Sequence, residues 1–436
     1  MTDLAVLILA AGKGERMQSE LPKVLHPLGG IPLLGHVLQA AAVLKPKKVV
    51  AVIGHKAEEV RQAFVKHPSV QWVLQPKQLG TAHAVRMALP LLRGFKGRVL
   101  ILYGDVPLLR AETLSQMLQL AKEKDSDVML ATTHLPVPTG YGRIVRNERG
   151  EVSGIVEEKE ATPQQRGILE VNPGIYLVKA ELLNLLSRIQ PSAVKREYYL
   201  TDLIVETLKD GKKVTSYIVK DSDEVLGINT RVDLARVSRL LQQRVNRSWM
   251  DRGVTLVAPD HTWIETTVVL ARDVVIHPGV VLTGQTRIAS GAQIFSHSVI
   301  EDSVIESGAR IGPFAHLRPG TVVGERSHIG NFVETKKAIL QKDVKANHLS
   351  YLGDVSIGSG TNVGAGTITC NYDGKKKHRT EIGKNVFIGS DTQLVAPVKV
   401  GDRALIGAGT TVTKDVPAGS LVLSRVSQVN VGKKRK

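Results

Sequence analysis

Between residues 269 and 417 an apolar side chain recurs at every sixth position over long stretches. Ile276, Leu282, Ile288, Ile294 and Ile300 form one run. Ile305, Ile311, Leu317, Val323 and Ile329 form a second, and Ile382, Ile388, Leu394, Val400, Ile406 and Val412 a third. An α-helix repeats its apolar stripe every third or fourth residue, so a period of six excludes one. The period fits a solenoid of short parallel strands. Each hexapeptide supplies one flat side of a triangular coil, with about eighteen residues per turn. The aliphatic residues then stack inside as ladders. Many precede a glycine, as in Ile311-Gly312, Ile329-Gly330 and Ile388-Gly389. That pattern predicts glycine at the corners, where the backbone needs unusual dihedral angles. The register blurs between Thr335 and Ile357. Cys370-Asn371-Tyr372-Asp373-Gly374 and a basic stretch then interrupt it before Ile382. Insertions in a solenoid are usually loops on one face, often the binding face.

Residues 1–229 obey a different rule. Apolar runs of strand length lie at 5–9, 48–53, 70–74, 99–103, 128–132, 174–178 and 214–219. Helix-like segments lie between them at 33–44, 57–64, 81–92 and 111–123. Strands alternating with helices predict an α/β domain, Rossmann-like, with a mainly parallel sheet. Residues 230–252 hold no Gly or Pro, and Leu234, Val237, Leu240, Leu241 and Val245 keep helical spacing. They are expected to form a linker helix, leaving 253–436 as the solenoid domain.

A net charge of +17 admits nucleic-acid or membrane binding. The charge is dispersed, and aromatic residues for base stacking amount to only 4%. Anionic, phosphorylated substrates account for the balance, so neither nucleic acid nor a membrane is expected as a partner. No apolar run reaches the roughly 18 residues of a membrane span. Asp3, with no cationic leader before residues 4–11, argues against a secretory signal. The single cysteine, Cys370, excludes an internal disulfide and fits a reducing, cytoplasmic compartment.

Chemistry-bearing residues cluster in both halves. Leu9-Ala10-Ala11-Gly12-Lys13-Gly14-Glu15-Arg16-Met17 follows the first strand and is expected to open a helix. Its small residues let a backbone approach a nucleotide, its N–H groups can hold phosphate oxygens, and Arg16 adds fixed charge. Alone, the loop is equally a tight strand–helix turn. Leu21-Pro22-Lys23-Val24-Leu25 adds a lysine. Gln78-Leu79-Gly80-Thr81-Ala82-His83-Ala84 adds a second small-residue turn. Tyr103-Gly104-Asp105 ends a buried strand with a carboxylate, where α/β sheets bind ligands.

Together these motifs resemble the sugar-nucleotide pyrophosphorylases, which transfer a nucleotidyl group from an NTP to a sugar 1-phosphate. Two anions meet in that reaction, so cations must neutralise them. Mg²⁺ suits the task, since it takes a carboxylate or two, phosphate oxygens and water. The resemblance implies Asp105 and Asn229 as metal ligands, and Arg16 and Lys23 as catalytic phosphate contacts. Read alone, Asn229 is a turn or helix N-cap residue. The resemblance also implies substrate binding by Leu9, Ala10, Ala11, Gly12, Gln75, Gly80, Thr81, Tyr103 and Gly104. Gly140, Glu157 and Asn172 would meet the amino-sugar and ribose hydroxyls. Glu15 stands where the family usually carries Thr, adding negative charge beside the phosphates unless it points to solvent.

In the solenoid, Phe332-Val333-Glu334-Thr335-Lys336-Lys337, His348-Leu349-Ser350-Tyr351-Leu352-Gly353-Asp354, Asn362-Val363-Gly364-Ala365-Gly366 and Thr369-Cys370-Asn371-Tyr372-Asp373-Gly374 carry the polar chemistry. With the N-terminal motifs, this set resembles the bacterial bifunctional N-acetylglucosamine-1-phosphate uridylyltransferase/glucosamine-1-phosphate acetyltransferases over essentially the whole chain. The resemblance implies a left-handed parallel β-helix, a homotrimer, and two reactions. Glucosamine 1-phosphate is acetylated by acetyl-CoA, and the product then takes UMP from UTP. Amine acetylation needs a base near neutral pKa, assigned to His348 with Glu334 orienting the imidazole. Arg318, Lys336 and Lys377 would hold the sugar phosphate, and Tyr351, Asn362 and Asn371 the glucosamine. Ala365, Asn371, Tyr372, Ser390, Ala408 and Arg425 would line the acetyl-CoA groove. Direct transfer leaves no step for a Cys370 thioester. A rival reading makes the β-helix a mere scaffold, but a scaffold needs neither His348 nor the Asn371-Tyr372 loop.

Overall fold

A computed structural model describes residues 3–424 and 427–431. The chain divides into two compact units, Met1–Leu240 and Leu241–Lys436.

The first unit is built on strands β1 (Leu4–Ala10), β4 (Lys48–Ile53), β5 (Val70–Leu74), β6 (Arg98–Tyr103), β7 (Val128–His134), β8 (Gly142–Arg146), β9 (Val152–Val156), β10 (Glu170–Asn172), β11 (Tyr176–Lys179) and β12 (Val214–Ile218). A small ribbon, β2 (Pro27–Leu28) and β3 (Ile31–Pro32), lies apart from them. The order across the sheet is β5-β4-β1-β6-β11-β7-β10-β8-β9, and β12 also pairs with β7. The β4–β5, β1–β4, β1–β6 and β7–β12 pairs are parallel; the pairs from β6–β11 through β8–β9 are antiparallel. The sheet is therefore mixed, where a mainly parallel one was expected. The cause is local. The β8–β9 and β10–β11 links are too short for a crossover helix, and the longer β9–β10 link holds only the four-residue helix Pro163–Arg166.

Both faces of the parallel half are covered. In β1, Ala5, Leu7 and Leu9 join one apolar cluster, while Leu4, Val6, Ile8 and Ala10 join another. Such burial on both faces turns strand alternation into a continuous apolar run, which is why β1 reads so clearly in the sequence. Helix α1 (Leu33–Val43) buries Leu33, Leu34, Val37, Leu38 and Ala41, a stripe at three- and four-residue spacing. α2 (Ala57–Ala63), α3 (Thr81–Leu92) and α4 (Ala111–Glu123) also occupy segments expected to be helical. The glycine loop departs from expectation, with only a 3₁₀ turn at Glu15–Met17 between Gly14 (φ 68°) and Gln18 (φ 46°). Both flanking residues are left-handed, so no helix can propagate through them.

A helix at Arg231–Asp251 begins just after a capping pair. Thr230 Oγ1 accepts from the Asp233 N–H at 3.1 Å, and Asp233 Oδ2 accepts from the Thr230 N–H at 2.8 Å. Thr230 therefore takes the cap, and the Asn229 side chain is left for other use.

The second unit is a parallel β-helix of three sheets with ten, nine and eight short strands. Ile276, Ile294, Ile311 and Ile329 stack in register on one sheet, each at 0% exposure. Burying each such side chain is worth about 1.5–3 kcal/mol. Ile294 pairs with Ile311 and Ile311 with Ile329, so coils of seventeen and eighteen residues alternate here. Through the blurred segment the coil continues, with Thr335 and Thr369 in ladder positions as buried as the aliphatics. Thr335 Oγ1 meets Thr321 Oγ1 at 3.0 Å, and Thr369 Oγ1 accepts from the Gly353 N–H at 2.7 Å. Hydrogen-bonded threonine thus replaces leucine without an unsatisfied hydroxyl.

Glycine plays two roles: Gly312 (φ 93°), Gly320 (φ 82°) and Gly366 (φ 75°) take the left-handed conformation expected at corners, but others do not. Gly330, Gly358, Gly364 and Gly389 do not have positive φ. A Cβ on Gly364 would stand 2.6 Å from the Ile388 carbonyl oxygen of the next coil. These glycines permit close coil-to-coil approach. Several corners are instead turned by left-handed non-glycine residues, including Phe314, Phe332 and Leu349.

Candidate active sites

Strands β1 and β6 run side by side, with Leu9 paired to Tyr103, so the glycine loop and Asp105 leave the sheet at the same edge. Two clefts open there and share Tyr103 and Asp105. The smaller, about 270 Å³, is lined by Leu9, Ala10, Ala11, Gly12, Lys23, Gln75, Gly80, Thr81, Tyr103 and Asp105 of the expected set. The larger, about 590 Å³, takes Arg16, Gly140 and Asn229 beside the shared pair. A Cβ on Gly12 would meet nothing within 4 Å, so the loop faces open space. At Gly80, φ is 104° and a Cβ would stand 2.5 Å from the Tyr198 carbonyl oxygen; only glycine fits.

The centre of this edge is an oxygen pair around one cation. Lys23 Nζ is ion-paired with Asp105 Oδ2 and lies 3.3 Å from Asn229 Oδ1. The Ile228 N–H donates to the Asp105 carbonyl at 2.9 Å, which ties the two segments together. Gln75 is buried and donates to the Gly80 carbonyl at 3.1 Å, bracing the second small-residue turn. Burial pushes the Tyr103 hydroxyl well above its usual range, so it remains a neutral hydrogen-bonding group. Burial likewise raises the Glu157 carboxyl, which accepts from Thr201 Oγ1 at 3.1 Å. Asn172 donates to the Tyr176 hydroxyl at 2.6 Å. Gly104, Glu157 and Asn172 are not among the residues lining these two clefts. Glu15 is strongly exposed and lies 3.8 Å from Lys13, so its charge points outward and is countered. The structure adds Glu197, which no motif marked, and makes Gln78 and Tyr141, motif neighbours of Gly80 and Gly140, into lining residues.

On the β-helix, Asn331 and His348 pair across adjacent coils at one corner. The Asp391 N–H donates to the Ala365 carbonyl at 2.7 Å and the Gly409 N–H to the Ser390 carbonyl at 2.8 Å. Asn331, His348, Ala365, Ser390 and Ala408 therefore recur coil by coil along that corner, about 4.8 Å apart. The expected pairing of Glu334 with His348 is not made within one chain. Glu334 lies on the neighbouring sheet, stacked on Tyr351, and its carboxylate is 2.7 Å from Arg318. His348 Nδ1 instead meets Asn331 Oδ1 at 3.1 Å. Lys377 and Arg318 crowd Lys336 and push its ammonium below its usual range, which marks three cations facing one space.

The insertion closes into a hairpin, with Tyr372 bridged to Lys377. Asn371 Nδ2 donates to Asp354 Oδ2 at 2.6 Å, holding the hairpin to its own coil. Asn362 sits on the same sheet as His348, paired with Lys345 and Phe387. Burial raises the Cys370 thiol above its usual range, the wrong direction for a nucleophile. Arg425 and the basic tail at 433–436 lie outside the described residues.

Residues 6–172 match the MobA-like NTP transferase domain. Residues 302–337 and 379–414 match the bacterial transferase hexapeptide repeats. The Bifunctional protein GlmU of Pelobacter propionicus is 48% identical over 99% of this chain and 97% of its own. That of a Thermus thermophilus strain is 49% identical over 98% and 97%. That of Geobacter metallireducens is 47% identical over 99% and 98%. Two transferase domains, each with a polar site, and near-half identity from end to end place this chain in the bifunctional GlmU family, as a nucleotidyltransferase joined to a hexapeptide-repeat acyltransferase.

Proposed function

We propose that the chain makes UDP-N-acetylglucosamine in two steps, on two sites. The β-helix acetylates glucosamine 1-phosphate with acetyl-CoA. The α/β unit then transfers UMP from UTP to N-acetylglucosamine 1-phosphate and releases pyrophosphate. The observation that carries this reading is the arrangement of Asp105, Asn229 and Lys23, two oxygens on one cation beside a glycine loop.

Nucleotidyl transfer in this family implies a divalent metal. The residues fit one: two oxygens already converge on a positive centre. Among the described residues no cluster of three or more His, Cys, Asp or Glu could hold an ion, so most ligands would come from phosphates and water. That donor set suits Mg²⁺, held by Asp105 and Asn229. When bound, Mg²⁺ would neutralise charge on the phosphates. The chain's own part is positioning. Loop N–H groups from Ala11 and Gly12 hold phosphate oxygens, Arg16 and Lys23 offset the charge of the two anions, and Gly140, Glu157 and Asn172 orient the sugar side.

In the second site, neutral His348 takes a proton from the amine as it attacks the thioester carbonyl. Nδ1–H donation to Asn331 Oδ1 leaves Nε2 with the lone pair for that proton. Arg318, Lys336 and Lys377 receive the sugar phosphate, and Tyr351, Asn362 and Asn371 position the ring. Ala365, Asn371, Tyr372, Ser390, Ala408 and Arg425 form the acetyl-CoA groove.

The acting species is a homotrimer. Phe314 and Phe332 stack at 5.4 Å between ring centres on the His348 corner, and with Leu349 they stay about half exposed or more. An apolar column of this kind beside a site calls for cover by a second copy. The chain works in the cytoplasm, where Cys370 stays reduced and the substrates are phosphorylated metabolites. Its partners are small molecules, with neither nucleic acid nor membrane required.

One experiment tests both steps. The protein is incubated with glucosamine 1-phosphate, acetyl-CoA, UTP and Mg²⁺, and free thiol and pyrophosphate are assayed separately. Thiol release should precede pyrophosphate, and supplied N-acetylglucosamine 1-phosphate should bypass the first step. Phe332→Asp should abolish the trimer in light scattering and thiol release with it, while pyrophosphate formation from N-acetylglucosamine 1-phosphate persists. A fully active Phe332→Asp monomer would sink the trimer reading.

A further inference from the structure

We infer that the α/β unit carries a second anion site, at the opposite end of β6 from the nucleotide clefts, and that it binds a polyphosphate-bearing ligand. The cleft measures about 1260 Å³, the largest described in this unit. β6 begins in it at Arg98 and ends at Tyr103 in the nucleotide clefts. Five strand steps, from Arg98 to Tyr103, separate the two by about 17 Å along the buried core of the sheet.

The charge in this cleft is one-sided. Arg86, Arg93, Lys96, Arg98, Lys122 and Lys179 line it, against the carboxylates of Asp125 and Glu181. Lys179 is already committed, 2.7 Å from Asp127 and 3.5 Å from Asp125. Arg86 donates to the Leu186 and Ile189 carbonyls. Arg93, Lys96 and Lys122 have no ion-pair partner among the described residues.

Arg98 is the decisive group. It is only 7% exposed, its Nη2 reaches the Ala121 carbonyl at 3.4 Å, and its Nη1 is buried with no partner at all. A buried guanidinium nitrogen without an acceptor is costly, and an anion seated in the cleft that Arg98 lines would help offset the buried charge, on which Asp125 and Asp127 act only at range. A single carboxylate would still leave the rim cations Arg93, Lys96 and Lys122 unopposed. Several phosphate charges match them. Leu89, Pro90 and Phe95 add an apolar wall able to take a nucleoside, so the polyphosphate could be that of a nucleotide or an inorganic chain.

The test is calorimetric titration of the whole protein with inorganic tripolyphosphate in metal-free buffer. The nucleotide site also binds phosphates, so two sites per chain are expected. Lys96 and Lys122 are both exposed, and the K96E/K122E variant should fold normally and keep the wild-type nucleotidyl-transfer rate. It should lose one of the two sites, with affinity there at least tenfold weaker. Arg98→Met, checked for an unchanged melting profile, should lose the same site. One site per chain in wild type, or indistinguishable isotherms for wild type and both variants, would overturn the inference. ATP in place of tripolyphosphate separates the sources. A gain of tenfold or more at the second site assigns a nucleotide, and equal affinity assigns inorganic polyphosphate.

Discussion

The two units build their sites in opposite ways. In the α/β unit, Lys23, Asp105 and Asn229 are far apart in sequence and converge where strands end, with cleft walls on either side. In the β-helix, Asn331, His348, Ala365, Ser390 and Ala408 are separated by one coil each and form a row along an outer corner. A sheet edge gathers side chains from several loops around a hollow. A coil corner presents them in a line, and nothing in the same coil can stand opposite. On the proposed reading, the first site is complete within one chain, and the second would take its opposite wall from another copy.

The sharpest way to break this contrast is His348→Ala. Loss of a general base typically slows its step ~10²- to 10⁴-fold. Thiol release from acetyl-CoA should fall by that range, and conversion of supplied N-acetylglucosamine 1-phosphate should not change. An acetylation rate within about threefold of wild type would make His348 structural and move the base elsewhere. The mirror experiment is Asp105→Ala, where a loss of about 10²-fold or more is expected in pyrophosphate release. Thiol release should be untouched. If Asp105→Ala abolished acetylation in a folded protein, the two sites would not be independent.

A third substitution compares the cores. Ile329→Ala removes a fully buried side chain from the ladder, between Ile311 and Ala346. The coil cannot collapse around the gap, because close-approach glycines already hold neighbouring coils at contact. A loss of about 2–5 kcal/mol is expected in chemical denaturation of the β-helix transition. If the transition of the α/β unit shifted equally, the two units would not unfold separately.

The sequence showed the β-helix through its aliphatic ladders, and it showed β1, β6 and the α/β helices through burial on both faces. It hid what did not follow one period. Thr335 and Thr369 occupy ladder positions but read as polar, so the coils between them looked irregular. Strands β8, β9 and β10 are short and half polar, and the sheet's antiparallel half went unread with them. In the α/β site, motif residues marked most of the walls, because glycine and charge at a strand end have few other uses. Glu197 came only with the tertiary structure, which also turned Gln78 and Tyr141 from motif neighbours into walls of the clefts. Glu334 shows a further limit. The resemblance and dyad chemistry suggested a pair with His348, but the coil turns between them and places Glu334 on another sheet, where Arg318 pairs with it in the same chain.

The smallest expected effect is a matter of pH and concerns the hairpin that carries Asn371, Tyr372 and Lys377. Asp373 accepts from the Lys375 N–H at 2.8 Å and the Lys376 N–H at 2.7 Å through Oδ1, and lies 2.7 Å from His378 Nε2 through Oδ2. These bonds, the Lys376 amide foremost, pull its carboxyl from the usual 3.8 down to about 2. A lowered carboxylate pKa contributes stability that is complete above the unfolded value and is lost as pH falls through the folded one. The hairpin should therefore be fully closed above pH 4 and open progressively between about 3.8 and 2. Amide exchange at Lys375 and Lys376 reads this directly, with Ile329 of the ladder as the internal standard for global unfolding. Asp373→Asn keeps an acceptor oxygen but not the charge, so its exchange should be faster and flat across that window. Loss of protection already at about pH 5 in the wild type, with the ladder intact, would show that Asp373 does not hold the hairpin. The α/β site has no counterpart to this loop, so its pyrophosphate-forming activity should not track the same transition.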